Sequence, residues 1–311
     1  MKIKILDYKE ILEELSMSLG AFKEYLDGGR QDVLYNTDIF CENVRTASIV
    51  EKDFSLFDRV DTIDDETVII FPIYLELFQF EGVASKITLC IEHFCNQFPE
   101  NTVVFFWNHD VDFRFYNSFV TKHSNAVIIN YNTSEETPND IVVPFWTMAD
   151  ITPMSEPKEI FACFAGNITH PIRHRLVQSV SGRRGYLQVT GLDYDQYRQT
   201  LSKSVFGLCP RGAGLSSYRF FECLHVNTIP VLFADDVILP YSDEINYEDM
   251  IVRIPESQAN NFEEIDRTLK QIDITSMSKK INQERHRFTL SGVQKYVKRG
   301  LISHLINKEK S

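Results

Sequence analysis

The chain has 311 residues, of which 43% are hydrophobic and 24% are charged, and its formal net charge is −12. These fractions are typical of a globular protein and exclude collagen-like and intrinsically disordered chains. The negative charge argues against a protein that coats duplex nucleic acid, because phosphate binding draws on an excess of lysine and arginine.

Short apolar runs recur along the chain, and most are continuous rather than alternating. Such runs indicate strands buried on both faces, as in parallel sheets. Helical patterns lie between many of them, including Glu81–Phe98, Pro171–Val180 and a segment up to Ser202 for which Asp195 is the predicted cap. The predicted strands cover residues 67–71, 102–107, 126–130, 141–145, 160–166, 186–191, 204–210, 228–233 and 250–255.

The alternation of strands and helices in both halves predicts an α/β protein with two doubly wound, Rossmann-like domains. At roughly 150 residues per domain, the length agrees with two. A polar, proline-bearing stretch at 147–158 marks the boundary, and the pattern after Pro255 is wholly helical. The predicted organisation is an N-terminal domain at 1–147, a C-terminal domain at 148–275 and terminal helices at 276–311.

Six cysteines lie mostly in or beside apolar runs, without paired CxxC spacing. We therefore expect reduced, structural thiols and no zinc ribbon. No stretch approaches the roughly 20 apolar residues needed to cross a bilayer, and charged residues interrupt the first apolar segment. The expectation is a chain without signal peptide or membrane anchor, located in the cytoplasm. The cysteines are Cys41, Cys90, Cys95, Cys163, Cys209 and Cys223.

The segment that follows the predicted strand 204–210 has the composition of an anion site. Two glycines, Gly212 and Gly214, let backbone amides approach a ligand, and a helix is predicted to begin at about Ser216. Exposed N–H groups and the helix dipole at such a junction favour phosphate. Arg211 and Arg219 add forked donors that suit a diphosphate.

Helical periodicity separates the side chains that follow this loop. Phe220, Phe221 and Leu224 fall within a sector of about 100°, the expected core stripe, with Arg219 and Glu222 near one another on the opposite side. A helix exposing this pair can hold a nucleotide sugar, the arginine meeting phosphate and the carboxylate accepting hydrogen bonds from two ribose hydroxyls. The alternative is a salt bridge on a solvated helix.

A second candidate, Asn108-His109-Asp110, directly follows the predicted strand 102–107. The carboxyl end of a strand is where α/β sheets place ligands. Asp110 is a candidate general base oriented by His109, and the alternative is a turn with a helix cap. Asp110 and Asp112 also have the Asp-x-Asp spacing of a metal site, which we interpret as a chance occurrence.

The segment from Tyr197 to Glu256 resembles the exostosin-type glycosyltransferases of family 47. Weaker similarities lie at 71–74, at His109-Asp110, at 140–144 and in the Phe-x-Gly…Arg pattern that contains Gly166 and Arg173. The positions that match the family's main motif are Cys209, Pro210, Arg211, Gly212, Gly214, Ser217, Arg219, Glu222, Ile229, Pro230, Val231, Asp235, Leu239, Pro240, Pro255 and Glu256.

The resemblance implies a GT-B architecture, in which two Rossmann-like domains face a cleft and the terminal helices 276–311 pack back toward the N-terminal domain. It also implies a transfer that inverts the anomeric carbon. It implies a UDP-sugar donor, with a lean to UDP-xylose or UDP-glucuronate, a glycan hydroxyl as acceptor, and arginines in the role of a metal, so that no cofactor is expected. Asp110 and His109 are the implied catalytic residues. The implied donor-binding residues are Gly166, Arg173, Pro210, Arg211, Gly212, Gly214, Ser217, Arg219, Glu222 and Asp235.

Two other functions remain open from the sequence. One is a fucosyltransferase-like GT-B enzyme that uses GDP-fucose, and the other is a non-catalytic GT-B subunit that binds a glycan. The expected partners are a nucleotide sugar and an oligosaccharide, with no nucleic acid. The short chain indicates a bacterial or virus-encoded type.

Overall fold

A computed structural model describes residues 1–20, 56–75, 78, 84–107, 122–131, 133–135, 137, 140–145, 156–212 and 214–308. The chain forms two compact units, an N-terminal unit of residues 1–143 and 293–311 and a C-terminal unit of residues 144–292. The C-terminal unit therefore extends past the predicted limit at 275. The predicted terminal set 276–311 is divided between the two units.

The N-terminal unit contains the elements β1 (Lys2–Ile5), α1 (Tyr8–Leu19), β2 (Asp58–Arg59), β3 (Val68–Tyr74), α2 (Ile87–Gln97), β4 (Val103–Trp107), β5 (Ala126–Asn130) and β6 (Asp140–Val142). Its strands form a parallel six-stranded sheet with the order β2-β1-β3-β4-β5-β6. Every residue of β4 and of β5 is buried, which explains why the sequence of each is a continuous apolar run.

The core on one face of this sheet is formed by α1 and α2. Ile87, Ile91 and Phe94 of α2 are buried and lie on one face of the helix, and the ring of Phe94 lies 4.9 Å from that of Phe71 on β3. Apolar residues of β4 and β5 complete the same cluster. This packing fixes the position of β4, whose carboxyl end precedes the candidate base.

The C-terminal unit contains the elements β7 (Ile160–Ala165), α3 (Pro171–Val180), β8 (Tyr186–Val189), α4 (Tyr194–Ser202), β9 (Ser204–Pro210), α5 (Tyr218–His225), β10 (Ile229–Phe233), β11 (Val252–Ile254), α6 (Phe262–Lys270) and α7 (Ile274–Glu284). Its strands form a parallel five-stranded sheet with the order β11-β10-β9-β7-β8. The last helix, α8 (Leu290–Lys308), belongs to the N-terminal unit from Val293 onward.

Two parallel, doubly wound sheets confirm the predicted α/β fold class. The predicted helix 171–180 and strands 126–130 and 204–210 have the observed limits. The predicted cap Asp195 is wrong, because the side chain of Asp193 caps α4 and accepts a hydrogen bond of 2.8 Å from the amide of Gln196. The side chain of Gln196 accepts from the Asp193 amide in return, a reciprocal capping box that places Asp195 inside the helix.

The last helix is anchored to the N-terminal unit by close contacts. Lys308 Nζ donates to the Glu100 carbonyl at 2.7 Å, and Lys298 donates to the Leu56 carbonyl. A β-carbon at Gly300 would lie 2.9 Å from Ile141, so glycine allows a close approach to β6. By contrast, α7 packs against β10 in the C-terminal unit.

In the described part of the chain, Cys90, Cys95, Cys163, Cys209 and Cys223 are buried and free of disulfide bonds, as predicted. Cys41 lies outside it. Burial raises the pKa of the Cys163 thiol to about 11 and that of Cys95 to about 12. Within the same described ranges, no helix combines the length and apolarity that crossing a bilayer demands.

Candidate functional site

The predicted donor-binding residues gather at the carboxyl edge of the C-terminal sheet. The chain passes from β7 to β8 on one side and to β9, β10 and β11 on the other, so the strand order reverses between β7 and β9. Ligands of open α/β sheets bind at such a reversal point. Gly166 follows β7, and Arg211 and Gly212 follow β9, so all three lie beside it.

The guanidinium of Arg219 lies between these two strands. Its Nε donates to the Ala165 carbonyl at 2.8 Å, and one terminal nitrogen lies 3.4 Å from the Leu208 carbonyl. The group also stacks on Phe164, with its central carbon 4.4 Å from the ring centroid. Residue 166 must be a glycine here, since a β-carbon would overlap the second terminal nitrogen of Arg219, and φ is +139°.

The prediction that α5 exposes Arg219 and Glu222 is wrong, as is the alternative of a solvated salt bridge. Arg219 is 5% exposed and Glu222 is 4% exposed. Every residue from Arg219 to His225 is buried, including the predicted stripe of Phe220, Phe221 and Leu224. The helix is short and has aromatic rings of distant segments packed around it, namely Phe145 on Tyr218 and Phe221, Tyr247 on Phe220, and Phe288 on Phe221.

Glu222 is held by a residue from another helix. The hydroxyl of Tyr197, on α4, donates a hydrogen bond to the Glu222 carboxylate. Burial, together with that carboxylate, raises the pKa of Tyr197 well above its ordinary value. The phenol therefore keeps its proton and remains a donor at neutral pH.

Arg173, in the first turn of α3, joins the loops after β7 and β9. Its Nε donates to the Arg211 carbonyl at 3.0 Å, while Nη1 donates to the Asn167 carbonyl at 3.0 Å and to the Thr169 hydroxyl at 3.1 Å. A β-carbon at Gly212 would lie 3.0 Å from Nη2. Three hydrogen bonds within the protein indicate that Arg173 fixes the shape of the glycine loop.

Arg211 is oriented by Glu256, a residue that follows the edge strand β11. Its Nε lies 2.7 Å from a carboxylate oxygen of Glu256, which follows β11, and the two side chains are 26% and 20% exposed. The backbone amide of Glu256 donates to Asp235 at 3.0 Å. Asp235, which was predicted to bind the donor, therefore holds the backbone of Glu256, and the side chain of Glu256 pairs with Arg211.

His170 caps α3, accepting a hydrogen bond of 3.3 Å from the amide of Ile172 through Nδ1. Burial, and then the positive charge of Arg211, lowers the pKa of His170 below its ordinary value. The ring is therefore neutral at pH 7, and neutrality is what an acceptor nitrogen requires.

The other predicted residues lie in the same segment. Pro210 ends β9, Gly214 is buried, and Ser217 is the residue that precedes the first turn of α5. His109 and Asp110 lie outside the described residues, as does Asp112. Among the residues that are described, no group of three or more His, Cys, Asp or Glu side chains is placed to hold a metal ion.

Sequence reasoning assigned no role to Tyr197 or His170, and it matched Glu256 without giving it a function. The signal for Glu256 was available, because an acidic residue follows a predicted strand at a carboxyl end. Tyr197 and His170 lie in polar stretches without a distinctive pattern, and only the folded chain shows their partners.

Comparisons with known proteins identify the family of the chain. Residues 101–269, more than half of the chain, match the exostosin GT47 domain. The chain belongs to the exostosin GT47 family. A probable glucuronosyltransferase of Oryza sativa is 29% identical over 123 residues, which cover 36% of this chain and 29% of that protein. A probable β-1,4-xylosyltransferase of Arabidopsis thaliana is 38% identical over 60 residues, covering 19% and 14% of the two chains.

Among solved structures, the pneumococcal O-GlcNAc transferase GtfA, in complex with UDP and GlcNAc, gives a TM-score of 0.46 at 10% identity. The alignment covers 78% of this chain and 58% of that one. The matched segments of this chain span less than a third of each of the two plant relatives.

Proposed function

We propose that this chain is a glycosyltransferase that moves a sugar from a UDP-sugar to a hydroxyl of a glycan acceptor, with inversion at the anomeric carbon. The observation that carries the proposal is the group of arginines and glycines at the reversal point of the C-terminal sheet. Arg173, Arg211 and Arg219 all contribute to this edge, and Gly166 and Gly212 allow two of them to come close to the backbone.

The diphosphate of the donor is assigned to the loop between β9 and α5. Backbone amides at the start of α5 and the dipole of that helix favour an anion. Arg211 contributes a partly exposed guanidinium, and the buried charge of Arg219 lies between the ends of β7 and β9. In a protein interior such fixed charges stabilise a departing nucleoside diphosphate strongly, because they need no reorganisation.

The arginines are proposed to act in place of a divalent metal. A guanidinium offers forked, permanently charged donors that match phosphate oxygens. We therefore expect transfer and UDP binding to be insensitive to EDTA.

The ribose is assigned to Glu222. An ionised carboxylate accepts hydrogen bonds only, and two neighbouring ribose hydroxyls supply the donors. Glu222 lies one helical turn after Arg219, so phosphate and ribose recognition come from the same short helix.

The acceptor hydroxyl must be deprotonated during an inverting transfer. Asp110 is the proposed base, since it comes three residues after β4 in the sequence and α/β sheets place ligands at the carboxyl ends of strands; His109 is the second candidate. The proposal for the donor sugar is UDP-glucuronate or UDP-xylose. The names of the two plant relatives, a glucuronosyltransferase and a xylosyltransferase, support this choice.

The proposal is tested by incubating the protein with a panel of UDP-sugars and GDP-fucose, with and without EDTA, and measuring release of the nucleoside diphosphate. We expect turnover of a UDP-sugar that persists in EDTA. Turnover of GDP-fucose alone would favour a fucosyltransferase-like enzyme. UDP binding without turnover of any donor, even with oligosaccharide acceptors present, would favour a non-catalytic glycan-binding subunit.

A further inference from the structure

The hydrogen bond from Tyr197 to Glu222 connects two helices that belong to different parts of the fold. Tyr197 lies in α4, which follows the β8 edge of the sheet, and Glu222 lies in α5, which follows the glycine loop. The bond therefore connects the carboxylate that is proposed to bind the ribose to α4, a helix outside the glycine loop. Neither the helical periodicity nor the loop composition assigns a role to Tyr197.

The position of the Tyr197 hydroxyl is fixed by its own helix. The first turn of α4 is closed by the reciprocal bonds between Asp193 and Gln196, and the helix packs against β7 and β9. The ring of Tyr194 stacks on that of Tyr197 at a centroid separation of 6.3 Å. These contacts limit the movement of the Tyr197 hydroxyl, so the hydrogen bond is kept only while the Glu222 carboxylate stays in place.

The carboxylate, in turn, depends on such a donor. Glu222 is 4% exposed, and a buried charge without hydrogen bonds is costly. A phenol that bonds to an ionised carboxylate forms one of the stronger hydrogen bonds in proteins. It also limits the rotamers of Glu222 before any ligand arrives, and a group fixed in its bound orientation loses less entropy on binding.

We propose that Tyr197 is a positioning residue for the donor, and that it holds the Glu222 carboxylate in the orientation that accepts hydrogen bonds from the ribose hydroxyls. This inference rests on the proposed function, because it assumes that Glu222 binds the ribose of UDP. It adds a residue that does not itself touch the diphosphate or the sugar.

The test compares two ligands by isothermal titration calorimetry, UDP and 2′,3′-dideoxy-UDP, which lacks both ribose hydroxyls. Tyr197→Phe removes only the hydroxyl and keeps the ring. We expect the variant to bind UDP about five- to tenfold more weakly and to bind the dideoxy nucleotide within about twofold of the wild-type protein. Tyr197→Met, which also lacks the hydroxyl, replaces it should Tyr197→Phe fail to fold.

The chain provides a matched control in Tyr186. Its hydroxyl also donates to a carboxylate, that of Asp266, at 3.1 Å, on the outer strand β8. Tyr186→Phe loses a bond of the same kind, and we expect it to change the affinity for neither nucleotide. A Glu222→Gln variant should lose the preference for UDP over the dideoxy nucleotide, and adding Tyr197→Phe to it should cause no further loss.

An equal loss of affinity for both nucleotides in Tyr197→Phe, or no loss, would overturn the inference and leave Tyr197 as a packing residue. That outcome is distinct from failure of the proposed function. If the wild-type protein binds no UDP, the proposed function and this inference both fail.

Discussion

A terminal guanidinium nitrogen of Arg219 occupies the space that a β-carbon on residue 166 would fill. The glycine that follows β7 and the buried arginine of α5 therefore depend on one another. Hydrogen bonds to β7 and β9 and the ring of Phe164 hold the guanidinium in place, so moving it would break these contacts.

Gly166→Ala tests this dependence. The new methyl group must displace the Arg219 guanidinium, so we expect UDP affinity to fall at least about tenfold and the melting temperature to decrease. Gly182→Ala is the control, since Gly182 also has a positive φ, of +72°, but no atom lies within 4 Å of the position that its methyl group would take. It should lose about 1–2 kcal/mol of stability from backbone strain alone and bind UDP normally. Equal UDP affinity in the two variants would contradict the proposed dependence.

Arg219 and Arg211 should respond differently to truncation. Arg219→Ala removes the partners of two backbone carbonyls, Ala165 and Leu208, and leaves a buried gap, so it should lower both the melting temperature and UDP affinity.

Arg211 is partly exposed and paired with Glu256. Arg211→Ala should leave the melting temperature nearly unchanged and weaken UDP binding about tenfold or more, the loss of a bond worth roughly 1.5–3 kcal/mol. Calorimetry and thermal unfolding of both variants check this, and unchanged affinity in Arg211→Ala would exclude Arg211 from the donor site.

His170 should make stability depend on pH. Its pKa is lowered in the folded chain, by burial first and by Arg211 next, with Arg173 and Arg175 acting in the same sense and Glu256 opposing them. As the pH falls below 6.5, the unfolded chain takes up a proton before the folded one, and the free energy of unfolding decreases. The side chain of His170→Asn caps the helix without titrating. Urea unfolding at about pH 7.5 and about pH 5, on either side of the ordinary histidine pKa, should show a smaller loss of stability in the variant. A loss equal to that of the wild-type protein would mean that His170 does not contribute.

Asp110→Asn tests the proposed base. The substitution keeps the shape of the side chain but removes its ability to take a proton. We expect transfer to slow at least about a hundredfold while UDP affinity stays at the wild-type level. Transfer at a near wild-type rate would place the base elsewhere, and His109→Gln is then the variant to measure.

Most strands of the two sheets could be predicted, because each central strand is buried on two faces and its sequence is an unbroken apolar run. The missed strands, β1 and β2, lack this signal. β1 is Lys-Ile-Lys-Ile and β2 is only Asp-Arg, so neither segment contains the apolar run that predicts a buried strand. Their pairing is decided by neighbouring strands rather than by local composition.

The candidate site could be located from the sequence, but its burial could not. Glycines and arginines after a predicted strand indicate an anion site whatever packs around them. Arg219 packs on the ring of Phe164 on β7, and Glu222 is bonded to Tyr197 on α4, so their surroundings come from other elements of the fold. Helical periodicity compares faces of one helix, so it cannot show that a second face is also covered.

We propose that the C-terminal unit binds the nucleotide of a UDP-sugar through the edge formed by β7 and β9. Isothermal titration calorimetry of the wild-type protein with UDP and with GDP, each with and without EDTA, measures this binding. We predict that one UDP binds per chain, that EDTA does not weaken the binding, and that GDP binds at least about tenfold more weakly. Binding of GDP in preference to UDP, or binding of neither nucleotide, would contradict the claim.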